Sequence, residues 1–232
     1  MEFEVFYQDE NLVVINKPTG YFVHKSKLDN TSDKIVLQNL RNQIGKKLYP
    51  VHRLDRKTSG LLIFALNKET QVILSQMFQE QLVQKYYLAI IRGHTKESFI
   101  VDYELPNASG KLKEAVTHFK VLSASELPFA SSTKHSSSRY SLVLAKPETG
   151  RQHQIRKHLA HERHPIIGDR PYGCSKQNKF FLEKWNVTRM FLHAWKVEIP
   201  SSKNFSGIKL KIRPDEGFME MLEKLELHFQ DD

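Results

Sequence analysis

One carboxylate in this chain stands between two guanidinium groups. The stretch Val51-His52-Arg53-Leu54-Asp55-Arg56-Lys57-Thr58-Ser59-Gly60 places Asp55 two residues after Arg53 and directly before Arg56, and the apolar run Leu61-Leu62-Ile63-Phe64-Ala65-Leu66 follows it. Neighbouring positive charge stabilises the anionic form of a carboxyl group. An ionised carboxylate held in one position can act as a nucleophile or a base. Thr58, Ser59 and Gly60 are turn-forming types that would hold it there. A single Asp beside a turn more often only hydrogen-bonds its own backbone, and Arg–Asp pairs are often structural.

The full string H-R-L-D-x-x-T-S-G is far more specific than its parts. It resembles the catalytic motif of the RluA family of pseudouridine synthases, which convert uridine to pseudouridine in RNA. The resemblance opens at Tyr7-Gln8-Asp9-Glu10-Asn11-Leu12-Val13-Val14-Ile15-Asn16-Lys17-Pro18-Thr19-Gly20 and continues through Gln84-Lys85-Tyr86-Tyr87-Leu88-Ala89. It takes in Lys146-Pro147-Glu148-Thr149-Gly150-Arg151-Gln152-His153-Gln154-Ile155-Arg156 and His164-Pro165-Ile166-Ile167-Gly168-Asp169, and closes at Leu192-His193-Ala194. Val23 to Asp29 and Arg156 to His161 resemble the tRNA-modifying branch of that family, whose target is uridine 65. An rRNA uridine is the alternative target of the same chemistry.

The resemblance implies an α/β fold of the α+β type, one catalytic domain over residues 1–232. Its mixed, largely antiparallel central sheet would be flanked by helices, with the active-site cleft across the sheet and no separate N-terminal RNA-binding domain. It assigns the bond chemistry to Asp55. That carboxylate could attack C1′, attack C6 of the base, or take a proton from C2′; the sequence leaves the three routes open. The resemblance makes Arg156 the basic partner of Asp55 and Tyr87, rather than Tyr86, the residue stacked on the target base. Strand alternation puts those two tyrosines on opposite faces. It gives Arg53 the task of entering the RNA stack where the base has flipped out, a step costing a few kcal/mol. His52, at the head of the same motif, is expected among the RNA-facing residues. Lys57 stands where relatives can carry proline, a change in loop stiffness.

Arg151 is expected at the start of a helix, where a cation opposes the macrodipole but backbone N–H groups can bind an anion. That combination suggests a phosphate site. The reaction needs neither electron nor phosphoryl transfer, so no cofactor is expected. His153, His158, His161 and His164 lack the H-E-x-x-H arrangement of a helical zinc site, so no metal is expected and these rings are read as solvated or RNA-facing.

The 232 residues are 40% hydrophobic and 26% charged, ordinary for a globular protein with a substantial core. A formal charge of +9 favours a polyanionic partner, because each phosphate contact releases a condensed counterion. RNA, tRNA in the first place, is therefore the expected partner, and protein partners are unreadable. Cys174 is the only cysteine, so an internal disulfide is impossible. The charged N-terminus is no signal peptide, and no run approaches a membrane span. A cytoplasmic protein is expected.

The elements that must position these residues follow from periodicity. Glu4–Tyr7 and Leu12–Asn16 read as strands, and Leu61–Leu66 as a strand buried on both faces. A helix over 33–45 would be capped by Ser32 or Asp33 and ended by Gly45. Another over 68–81, capped by Asn67, would turn Val72, Ile73, Met77 and Phe78 inward. Lys85–Arg92, Ala115–Leu122, Arg139–Lys146, Arg189–Ile199 and Ile208–Ile212 read as strands, Arg151–His161 and Asp215–Phe229 as helices. Ser131 to Ser138 reads as an exposed, mobile loop. Two other functions fit parts of the pattern: a non-catalytic module that binds and folds tRNA, and a glycoside or nucleoside hydrolase. The latter class uses two carboxylates, whereas the expected partners of Asp55 are basic and aromatic.

Overall fold

In chain order the apolar runs become β1 (Val5–Gln8), β2 (Leu12–Lys17), α1 (Val36–Ile44), β3 (Tyr49–Pro50), β4 (Ser59–Ala65), α2 (Lys68–Gln79) and β5 (Gln84–Arg92). There follow β6 (Ser98–Asp102), β7 (Leu105–Pro106), β8 (Leu112–Lys113), β9 (Val116–Leu127), β10 (Ser138–Pro147), α3 (Gln154–His161) and α4 (Ser175–Trp185). β11 (Leu192–Ile199), β12 (Ile208–Lys211) and α5 (Glu216–Lys224) complete the chain. The structure, a computed structural model, describes residues 2–24, 34–131 and 135–230. The fold is mixed α/β with largely antiparallel strand pairing. Among the described residues no helix is long and apolar enough to cross a membrane.

The chain divides into two compact units, one of residues up to Lys85 with Ala194–Ile212, the other of Tyr86–His193 with residues from Arg213 on. In the first, the strand order is β1-β2-β4-β11, with β3 also on β4 and β12 on β11. All seven residues of β4 are buried, as its unbroken apolar run requires. Leu61 and Ile63 pack with Leu12 and Val14 of β2 and with Leu74 and Met77 of α2. In the second unit β5, β10, β9 and β6 pair in that order, all antiparallel. There α3 lays Ile155 and Leu159 on Ala89, Ile91 and Val143 of β5 and β10.

Several local expectations shift. Helix α1 starts at Val36, after Ile35 is held extended by its bridge to Phe22. The expected caps Ser32 and Asp33 lie outside the described residues, while Gly45 ends the helix in the left-handed region as expected. Asn67 caps α2 by accepting from Thr70 N–H, but the buried stripe is Thr70, Leu74 and Met77. Val72 is 63% exposed, because it lies between the turns of that stripe. Strands β6 to β8 and helix α4 were not expected. Helix α5 ends at Lys224, short of the expected Phe229. Residues 132–134 lie outside the described residues, and the end of the Ser-rich segment is not exposed: Ser138 is buried, its hydroxyl donating to Phe129 O at 2.7 Å.

Candidate active site

Asp55 sits half-buried at the tip of the loop between β3 and β4. Its own carbonyl accepts from Thr58 N–H at 3.1 Å, closing a turn. Leu54 beside it is buried and anchors the loop. The other side of the loop is tied to the turn after β2. Gly20 N–H donates to Arg56 O at 2.8 Å and Thr19 Oγ1 donates to Lys57 O at 2.9 Å. The flanking guanidinium groups are placed differently from each other. Arg53 is exposed, whereas Arg56 donates through Nε to Gly20 O at 3.1 Å and lies over the Phe22 ring at 4.7 Å.

The cation that the loop encloses is Lys17, the last residue of β2, with no exposed surface at all. Its Nζ donates to Pro18 O at 2.9 Å and to Arg56 O at 3.1 Å, so the ammonium holds the backbone immediately after Asp55. Burial pulls it down to about 7, and the negative charge of Asp55 opposes that fall. His52 fixes the loop's other root. Its Nε2 accepts from Ile63 N–H at 3.0 Å, and its ring stacks on Phe78 at 4.8 Å. Burial lowers this imidazole to about 3, with the positive charge of Lys85 adding to the effect. His52 is thus a neutral ring committed to β4. Gly60 follows from a different constraint than turn chemistry. Its φ is +106°, and a Cβ there would stand 2.3 Å from Ala194 O. Only glycine lets β4 and β11 approach this closely.

In the second unit Tyr87 faces Ala145 across β5 and β10, half-buried against the apolar cluster that includes Ile155 and Leu159. Tyr86 turns the other way, under the Lys146 ammonium at 5.5 Å. Arg156 is 6% exposed, and Asp169, on the loop before α4, is 1% exposed. Nε of Arg156 donates to Asp169 Oδ2 at 2.8 Å and Nη2 to Oδ1 at 2.9 Å, a bidentate ion pair. The guanidinium also lies over the Tyr172 ring at 5.1 Å.

Arg151 does not begin a helix. Helix α3 starts at Gln154, because the Gln154 carboxamide ties the preceding residues into a turn. Its Oε1 accepts from Thr149 Oγ1 at 2.6 Å and from Arg151 N–H at 2.9 Å. Arg151 Nε donates to Glu114 O at 2.9 Å. The helix-start argument for a phosphate site at Arg151 therefore does not apply. The histidines are also corrected in part. His158 is fully buried between Thr117 Oγ1 at 3.0 Å and Tyr103 O at 3.1 Å, and burial lowers its pKa. His153 Nδ1 meets the Tyr172 hydroxyl at 3.0 Å, and His161 stacks on Tyr103 at 4.1 Å.

A family model described as RNA pseudouridylate synthase matches residues 11–161, a span that runs from the head of β2 to the end of α3 and includes Asp55, Tyr87 and Arg156. The chain belongs to the RNA pseudouridylate synthase family. The synthase is 39% identical to tRNA pseudouridine synthase C of Haemophilus ducreyi, over 100% of this chain and 99% of that protein. It is 43% identical to the protein of that name from Pasteurella multocida, over 84% of each chain. Among solved structures, human RNA Pseudouridylate Synthase Domain Containing 4 superposes with a TM-score of 0.76 at 25% identity, over 98% of this chain and 95% of that one. Human RNA Pseudouridylate Synthase Domain Containing 1, at 24% identity and a TM-score of 0.74, shares the fold over 100% of this chain and 97% of its own.

The reaction of such a synthase breaks the C1′–N1 bond of uridine and forms C1′–C5. An oriented carboxylate suffices for the proton or covalent steps, provided the loop carrying it is rigid. Here two residues that sequence reasoning left without a role supply much of that rigidity or charge. Lys17 was legible as a cation closing an otherwise apolar strand, directly before Pro18. Lysines are almost never fully buried without a partner, so its position in L-V-V-I-N-K was the signal. Asp169 follows Gly168 in a segment already matched to the family, but nothing local announces that it meets Arg156, thirteen residues earlier.

Proposed function

We propose that this synthase isomerises a uridine of tRNA to pseudouridine, at position 65 as in the branch it resembles. In this reading it acts in the cytoplasm, with RNA as its partner and no cofactor or metal. Asp55 carries the bond chemistry, with Arg156 as the basic partner of its carboxylate in the RNA-bound enzyme. Tyr87 stacks on the flipped base, a contact of about 1–3 kcal/mol. Arg53, exposed beside Asp55, fills the space the base leaves. His52 serves the RNA by fixing the loop, and Arg151 reaches phosphate from the turn before α3.

The observation that carries this reading is the Asp55 loop. A half-buried carboxylate is held at its tip by backbone bonds from both sides, over a buried ammonium. The tRNA substrate is supported by relatives of that name aligned along nearly the whole chain. The test is incubation with unmodified tRNA and chemical mapping of pseudouridine. Wild-type enzyme is expected to form one pseudouridine, at position 65, and Asp55→Asn none, with RNA affinity within about threefold of wild type. Product on rRNA alone would move the substrate, and turnover by Asp55→Asn would remove the carboxylate from the chemistry.

A further inference from the structure

We propose that Asp169 and Tyr172 are positioning residues for Arg156, which they hold as an aimed donor rather than as a source of net positive charge. This rests on the reading above that Arg156 acts in the reaction. The carboxylate occupies the Nε and Nη2 edge of the guanidinium in fork geometry, which fixes both the plane and the rotation of the group. The Tyr172 ring covers one face. Nη1 lies outside the Asp169 fork, so the clamp determines where Nη1 points.

The clamp is itself braced. Tyr172 N–H donates to Asp169 Oδ1 at 3.4 Å, and the Tyr172 hydroxyl meets His153 Nδ1 at 3.0 Å. Asn178 Nδ2 donates to Asp169 O at 2.7 Å while Asn178 Oδ1 accepts from Gly168 N–H at 2.9 Å. One asparagine of α4 thus fixes the backbone on both sides of the carboxylate. Gly168 permits this bend, with φ +80° and no room for a Cβ beside Arg189 O. So many bonds around one ion pair exceed what burial of a salt bridge requires. They fit a group whose direction matters, since a misplacement of about 1 Å can cost on the order of 10²-fold in rate.

The test separates positioning from folding. Single-turnover kcat and KM for tRNA are measured on Asp169→Asn, Asp169→Glu, Tyr172→Leu and Arg156→Lys, each scaled to its folded fraction. Asp169→Glu keeps the ion pair but displaces it by one methylene, so it remains informative where Asp169→Asn fails to fold. The expected result is a loss in kcat of about tenfold to 10²-fold for both Asp169 variants, a smaller loss for Tyr172→Leu, and KM within about threefold throughout. Loss of kcat in Arg156→Lys with wild-type kcat in Asp169→Glu overturns the positioning role. Wild-type kcat in Arg156→Lys overturns the underlying assignment of Arg156 instead.

Discussion

The Asp55 loop and the Arg156 clamp hold opposite charges by opposite means. Around Asp55 the fixing bonds go to main-chain groups: Arg56 O, Lys57 O, Gly20 N–H and Ile63 N–H. The carboxylate itself sits half-buried above them. Around Arg156 the fixing bonds go to the charged group itself, through the buried Asp169. The first arrangement fixes a backbone and lets its side chain work. The second spends part of the side chain's own hydrogen-bonding capacity on its orientation. Removing the charge should therefore affect activity alone in one region, and folding as well in the other.

The largest effect expected is at the clamp. Arg156→Met would strand Asp169 in the interior, and breaking one side of a buried pair costs about 3–5 kcal/mol. Asp55→Asn keeps the size and the loop's backbone bonds, so its cost should stay below about 1 kcal/mol. Urea unfolding of the two variants side by side measures the contrast. Equal losses would mean that the Asp55 carboxylate is as structural as the clamp.

Next comes Gly60→Ala, which tests whether the Asp55 loop depends on the strand behind it. The added Cβ would lie 2.3 Å from Ala194 O, in a backbone region that side chains avoid. Overpacking costs about 1–3 kcal/mol, and strain at positive φ adds about 1 kcal/mol. A loss of roughly 2–4 kcal/mol in urea unfolding is expected, whereas Gly45→Ala, with open space around it, should lose only about 1 kcal/mol.

A smaller effect, visible mainly as a pH dependence, is expected at Lys17. Its ammonium falls to about 7 in the folded protein and keeps its ordinary high value when unfolded. Between those values the unfolded chain holds a proton that the folded one has released, so raising the pH favours folding. The stability tied to this group is fully present above the unfolded value and is lost as pH falls through about 7. Lys17→Met removes the titration. The wild type should gain on this variant between pH 7 and pH 10 in urea midpoints; a constant gap would show that Lys17 does not titrate there.

What the sequence made legible follows the same division. Strand β4 and the Asp55 loop were readable because both depend on neighbours in sequence: an unbroken apolar run and a turn-forming string. Asn67 was readable as a cap for the same reason. The Arg156–Asp169 pair joins a helix to a loop beyond its end, and no periodicity encodes such a meeting. Arg151 was misplaced because Gln154 sends its side chain backward onto Thr149 and Arg151, and so moves the helix start by three residues. Val72 was misassigned because the apolar residues of α2 outnumber the positions its buried stripe can take. The tertiary arrangement decided each of these, against a local pattern that was itself sound.

The smallest effect expected belongs to His52, and it tests whether this ring is structural. His52→Phe keeps the stacking on Phe78 but leaves Ile63 N–H without its acceptor. A buried donor left unsatisfied costs about 1–3 kcal/mol. That cost should depend on pH. Folding lowers this imidazole to about 3, so below its ordinary value the unfolded chain takes up a proton that the folded ring refuses. The stability it contributes is complete above the unfolded value and drains as pH falls toward about 3. Phenylalanine has no such titration. The gap between wild type and variant should therefore be widest near pH 8 and narrow by pH 5, read as the difference in urea midpoints. A gap that widens on acidification would mean that the protonated ring is the bound form, with its charge available to RNA. Asp55 would then sit in a loop held by charge on both flanks, and the contrast with the Arg156 clamp would disappear.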